Sequence, residues 1–308
     1  MTDANNNMKN ALLGLLFLIL SPAALSGTVE PGLLWKIEGR GVHTSYLLGT
    51  IHSEDARVLD FSKVMLDAVS ASPVFAMELV PNLPTLMELT KLMHYQDSTR
   101  LEQVTGDELF SKLSARLAAY GIPASMVRNM KPWAAAMTLS VPPPETGMFM
   151  DFSLSLRAAG QGARVTALET LQEQVGFLEG MELEDQLFLL RQAVEEADQM
   201  DEQYEQMLGA YLSRDLNRLQ EAAREQMAST GKRLADYFQT VGIDQRNEQM
   251  LNRLLPLLQE SGVFVAIGAL HLPGDKGMIR LLRKSGYLLT PVIETAAPDM
   301  AVKRSAVQ

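Results

Sequence analysis

Four histidines are the only imidazoles in a chain of 308 residues that has no cysteine. The missing thiols exclude disulfides, a Cys nucleophile and iron–sulfur ligation. Any metal site must be built from nitrogen and oxygen donors. Two of the histidines fall on one repeated frame. Leu47-Leu48-Gly49-Thr50-Ile51-His52 and Ala266-Ile267-Gly268-Ala269-Leu270-His271 both run from an apolar stretch through Gly-x-x-His. Glycine at a strand end has no Cβ and permits a tight or positive-φ turn, which lets the next residues re-aim. The spacing predicts that each imidazole leaves a strand end and enters the crevice where αβ sheets hold ligands. One such histidine alone reads as a hydrogen-bonded turn residue, whereas the matched pair reads as a site. His43 beside a hairpin loop and His94 beside Met93 and Tyr95 read as surface or packing residues.

Carboxylates supply the other donors. Glu78 lies in the apolar run Val74–Leu79 (VFAMEL), where burial on both faces is expected. A buried carboxylate is costly unless it is paired or bound to a metal. Glu169 repeats the situation at the end of VTALET. The plainer reading of each is a carboxylate just past a strand's end, in solvent or in a salt bridge, and it is weaker for Glu78, which sits one residue deeper. Two neutral imidazoles with one or two carboxylates suit a divalent transition metal, and such an ion acidifies water for hydrolysis. Arg246 and Asn247 follow Asp244, which reads as the N-cap of a helix running to about Leu258. An arginine in a first turn opposes the helix dipole, so it could instead hold a substrate carboxylate or carbonyl, or a developing oxyanion. By sequence alone, a surface arginine is the better reading.

The elements that position these residues follow from periodicity. Leu34–Glu38 and Tyr46–Thr50 flank Gly39-Arg40-Gly41 and predict a β-hairpin with a longer loop. Asp60 reads as the cap of a helix over Phe61–Ser72, which Pro73 ends before the strand Val74–Leu79. Thr105 and Glu108 have capping-box spacing ahead of Leu109, Leu113, Leu117 and Tyr120, and Gly121 closes that helix. Ser125–Leu139 reads as a helix interrupted by Pro132, and Met148–Ala159 as another after the rigid Pro142-Pro143-Pro144. Val165–Glu169 reads as a short strand, and the acidic, Met- and Gln-rich stretch from Glu182 to about Met227 as helical. Val263–Gly268, Lys276–Lys284 and Tyr287–Ile293 read as strand, helix and strand. The methionines at helical spacing read as adaptable core. The opening and closing sections are thus two similar αβ units, 27–80 and 263–293, around a mainly helical 100–260. The fold class is mixed α/β, with two pseudo-symmetric sheet-containing halves in a single domain over 27–298 and a tail at 299–308.

Composition narrows the class. The formal charge is −10, from 27 Lys and Arg against 37 Asp and Glu, which argues against a nucleic-acid surface. At 47% hydrophobic and 21% charged, the chain is globular. Residues 1–26 have the order of a secretory signal: Lys9, the apolar run Ala11–Leu20, then Ala24-Leu25-Ser26 before Gly27. That run is short for a membrane span, which needs about 20 residues. The expectation is an exported protein, periplasmic or at the cell surface, with no membrane span once the signal is removed.

Several of these stretches together resemble the TraB/PrgY/GumN family, which includes Tiki-type metalloproteases. They are LLWKIEG at Leu33–Gly39, YLLGTIH at Tyr46–His52, AMEL at Ala76–Leu79 and KPW at Lys131–Trp133. LETLQEQ at Leu168–Gln174, RNEQM at Arg246–Met250 and GALHLPGDKGMIRLLRKSGY at Gly268–Tyr287 complete the set. The resemblance implies an αβ fold close to that of erythromycin-esterase and ChaN-like proteins. It implies a metal site of His52, Glu78 and His271 taking Mn, Co or Zn, with Gly49, Gly268 and Gly274 as motif glycines. Arg246 and Asn247 match the family's polar pair and gain weight as substrate or transition-state contacts. Glu169 matches a family glutamate whose role, proton acceptor or structural, stays open. The leading expectation is a metal-dependent hydrolase acting on a peptide or protein. The alternative is a non-catalytic binding protein for haem, a peptide pheromone or a polysaccharide-related partner.

Overall fold

The computed structural model describes residues 32–39 and 43–293. The proposed signal segment, the tail and the hairpin-loop residues Arg40 and Gly41 lie outside them. Six short apolar runs make one sheet: β1 (Leu34–Glu38), β2 (Ser45–Thr50), β3 (Val74–Met77), β4 (Arg164–Ala167), β5 (Val263–Gly268) and β6 (Leu288–Pro291). The order is β4-β3-β5-β2-β1-β6. The pairs β4–β3, β3–β5 and β5–β2 are parallel, and β1 is antiparallel to both its neighbours, β2 and β6. Every residue of β3 is buried, as are the first five of β5, which is what a parallel sheet covered on both faces requires. Phe75 pairs with Phe264 across β3 and β5, and their rings stack 5.5 Å apart.

The two Gly-x-x-His strands, β2 and β5, are therefore adjacent and in register, with Thr50 opposite Gly268. From β2 the chain moves one way in the sheet, through α1 (Lys63–Ser70), to β3; from β5 it moves the other way to β6. Right-handed crossovers leaving in opposite directions put their helices on opposite faces. The junction of β2 and β5 is thus a topological switch point, and both motifs sit at its carboxyl end.

Glycine serves there by close approach, not by turn geometry. Neither Gly49 nor Gly268 has a positive φ, whereas Gly274 does, at +97°. A Cβ on Gly49 would stand 2.9 Å from Ala269 Cα, so the first motif packs its backbone directly on the second.

Several local expectations shift. Ser62, not Asp60, caps α1, its side chain accepting from Met65 N. Thr105 ends a short helix, and Gly106 at φ +79° starts α2 (Asp107–Ala118) without a side-chain cap. A Thr held in a preceding helix cannot take the extended backbone that a cap needs. A capping box does form at Thr170 and Glu173. Pro132 opens α3 (Pro132–Leu139) instead of interrupting a helix, since its missing N–H is harmless in a first turn. The next helices are α4 (Met150–Gly160), α5 (Leu171–Glu179), α6 (Leu183–Glu195), α7 (Met200–Leu212) and α8 (Leu216–Met227). Then α9 (Arg246–Glu260) and α10 (Met278–Lys284) close the chain. Asp244 is not an N-cap: a π-helical stretch over Phe238–Gln245 runs straight into α9. Arg246 thus faces no free helix terminus, and the dipole argument does not apply to it. No helix among the described residues is long and apolar enough to cross a membrane.

Candidate functional site

Each of the four adjacent parallel strands delivers one ionisable side chain just past its carboxyl end. Glu169 follows β4, Glu78 follows β3, His271 follows β5 and His52 follows β2. Glu78 and Glu169 are held side by side because the ladder continues beyond the strands, with Glu169 N donating to Glu78 O at 3.0 Å.

Arg246 lies between these two carboxylates and is 4% exposed, so the surface reading is wrong. Its Nε and Nη2 donate to Glu169 at 2.9 and 2.6 Å, and Nη2 also reaches Glu78 Oε2 at 3.1 Å. The π-helical turn before it supplies the acceptor for its third nitrogen, Gly242 O. Glu78 takes two further hydrogen bonds, from Gln174 Nε2 at 3.0 Å and Gly268 N at 2.7 Å. Burial pushes the Glu78 carboxyl up, but the Arg246 cation and the Gly268 amide act against it and it lies below its ordinary value. Glu169 goes the other way: burial, with Glu78 beside it, outweighs Arg246 and raises it.

Asn247 adjoins Arg246 and is fully buried. Its Nδ2 donates to two carbonyls, His271 O at 3.1 Å and Lys276 O at 2.8 Å. That leaves Oδ1 facing His271 Nδ1 at 2.7 Å. An acceptor there fixes the proton on Nδ1 and the lone pair on Nε2. His271 Nε2 lies 3.8 Å from Glu78 Oε1. That is too long for a hydrogen bond and near the ~3.4 Å separating two donors on one tetrahedral ion. Burial and the Arg246 cation lower the His271 pKa to about 3, so the ring is neutral in the fold.

This last shift sets a sign for pH dependence. Between about 3 and the ordinary value of 6.5 the unfolded chain holds more protons at His271 than the folded one. Stability then falls as pH falls through that window, by at most about 1.4 kcal/mol per unit from this group. Urea titrations with chelator present, at pH between 5 and 6.5, are expected to show this slope in the wild type and a shallower one in His271→Gln. Equal slopes would contradict it.

His52 stacks on Phe149 at 3.7 Å, and its Nδ1 lies 3.7 Å from Asp151 Oδ1. Burial pushes the Asp151 carboxyl up, while His52 and the Phe152 and Asp151 amides more than offset it, leaving it below its ordinary value. A cavity of about 80 Å³ is lined by His52, Glu78, Asp151, Arg246 and His271, with Tyr211 among the other walls. All three expected metal ligands therefore share one cavity. Among the described residues no three His, Asp or Glu side chains stand close enough together to hold an ion as placed. The donor chemistry still fits one. A neutral imidazole with a fixed Nε2 lone pair beside an ionised carboxylate is an N,O pair suited to a divalent transition metal.

The remaining histidines are elsewhere. His94 Nδ1 lies 2.6 Å from Thr90 O, where only the protonated nitrogen can bond, and His43 is exposed. Asp151, Phe149, Tyr211 and Gln174 were not anticipated as site residues. For Gln174 a signal existed: the capping spacing from Thr170 to Glu173 starts a helix that turns Gln174 inward.

A family model describing the TraB/PrgY/gumN family matches residues 33–291. The chain belongs to this family. Among curated members it is 24% identical to Metalloprotease TIKI2 of Danio rerio, covering 82% of this chain and 60% of that protein. It is 25% identical to Metalloprotease TIKI1 of Danio rerio, over 79% of this chain and 60% of the relative. For Metalloprotease TIKI1 of Xenopus tropicalis the identity is 24%, over 79% and 58%. The chain thus spans about three-fifths of the length of these relatives. No solved structure matches it significantly. For a TraB/PrgY/gumN member, the match covers every strand of the sheet and each residue of the cavity named above.

Proposed function

We propose that this protein is an exported metal-dependent hydrolase, a peptidase of the Tiki kind, with His52, Glu78 and His271 holding one divalent Mn, Co or Zn ion. The observation that carries the reading is the Asn247–His271–Glu78 arrangement at the sheet's switch point. It keeps an imidazole neutral, fixes its tautomer and sets an ionised carboxylate beside its free nitrogen. The similarity to proteins named metalloproteases supports the same reading.

A bound divalent ion would supply Lewis-acid polarisation of a carbonyl and acidify water for the attack. The chain's own residues divide the rest of the work. Arg246 holds Glu78 ionised and tethers Glu169, so it positions ligands and has few donors left for substrate. Both N–H groups of Asn247 are occupied by carbonyls, and its role is to orient His271. Glu169 does not line the cavity; both its oxygens accept from Arg246, so it anchors the arginine behind Glu78.

The test is hydrolysis of a peptide library by the purified protein. Cleavage that stops with chelator and returns on adding Mn, Co or Zn is expected. Retention of the metal without cleavage of any peptide would move the protein to the ligand-binding alternative.

A further inference from the structure

Asp151 carries an unusual feature for a carboxylate in a site. Its Oδ1 is buried and takes no hydrogen bond among the described residues. The nearest ring nitrogen is His52 Nδ1, at 3.7 Å, just beyond hydrogen-bond length and longer than the 2.7 Å between Asn247 and His271. Phe149, two residues earlier, covers the face of the same ring at 3.7 Å with an interplanar angle of 20°. One short segment therefore meets His52 by face and by edge. That segment is itself pinned to the first motif. Met150 N donates to Ser53 O at 3.0 Å, and Glu54 accepts from the amides of Glu145, Thr146 and Gly147 and from the Thr146 hydroxyl.

The second motif offers the comparison. There Asn247 Oδ1 meets His271 at Nδ1 and leaves Nε2 for the cavity. In both motifs the residue beside Nδ1 presents a side-chain oxygen, and in both the histidine lines the same cavity. A carboxylate or amide oxygen behind a ligating imidazole sets its tautomer and ring orientation.

We infer that Asp151 is the positioning carboxylate of His52, fixing the proton on Nδ1 and turning Nε2 to the cavity as Asn247 does for His271. The inference rests on the proposed metal site for its purpose, but its test does not require metal. Nitrogen-15-labelled, metal-free protein at about pH 8 reports each neutral tautomer through long-range proton–nitrogen spectra. With four histidines in the chain, the His52 signals are assigned by their loss in His52→Gln. The wild type is expected to show His52 as the Nδ1–H form. Asp151→Ala is expected to shift it to Nε2–H or a mixture, and Asp151→Asn, which retains an acceptor oxygen, to keep Nδ1–H. Titration with Zn or Co alone should then show affinity about 10- to 100-fold weaker in Asp151→Ala and largely restored in Asp151→Asn. An Nε2–H form in the wild type overturns the inference, and that observation needs no variant to fold. An unchanged tautomer in folded Asp151→Ala also overturns it. The expected tautomers without Zn or Co binding to the wild type would uphold the positioning role and bring down only the metal reading.

Discussion

Replacing His271 with alanine is expected to abolish hydrolysis and to weaken binding of a divalent transition metal by more than about 100-fold. That exceeds the 10- to 100-fold typical of losing a partner behind a ligand. His271 Nε2 stands 3.8 Å from Glu78 Oε1 while its Nδ1 is held by Asn247, so the substitution removes the oriented nitrogen beside that carboxylate. The fold should persist at some cost. Asn247 Oδ1 would lose its partner in a fully buried position, at about 1–3 kcal/mol. Circular dichroism and a urea midpoint separate that loss from the functional one. Full hydrolysis by folded His271→Ala would remove the metal assignment.

The second large effect concerns stability. Arg246→Met keeps much of the side-chain bulk but leaves Glu78 and Glu169 buried without their cation. Breaking one side of a buried ion network costs about 3–5 kcal/mol. For a domain of this size that lowers the melting temperature by roughly 10 °C. Adding Glu169→Gln to Arg246→Met should recover part of the loss, because one of the two stranded charges is gone. The check is a urea titration of the wild type and both variants at neutral pH. A loss below about 1 kcal/mol would mean that the arginine behaves as a surface residue and the network does not hold the site.

What was legible in the sequence depended on how local its cause was. The apolar runs at Val74–Met77 and Val263–Gly268 announced central strands, because burial on both faces leaves a continuous hydrophobic signature. The repeated Gly-x-x-His frame marked two residues that do line one cavity. Their adjacency in one sheet was not legible, since strand order depends on pairing over more than two hundred residues. The Thr105–Glu108 box was misleading because spacing alone says nothing of the helix that already contains Thr105. Arg246 was misjudged for a related reason. Its burial depends on two carboxylates from distant strands and on a π-helical turn that no periodicity reveals. Asp151 carried no local mark at all: it sits in the first turn of an ordinary amphipathic helix, and only the docking of that helix on Ser53 brings it to His52.

The central claim is that both repeated histidines serve one ion. It is tested most directly by elemental analysis of the purified protein, with His52→Ala beside the wild type, after equal exposure to Mn, Co and Zn and removal of loose metal. The account predicts about one equivalent of a transition metal in the wild type and close to none in His52→Ala. A wild type without bound metal, or a folded His52→Ala that keeps the full equivalent, would contradict it.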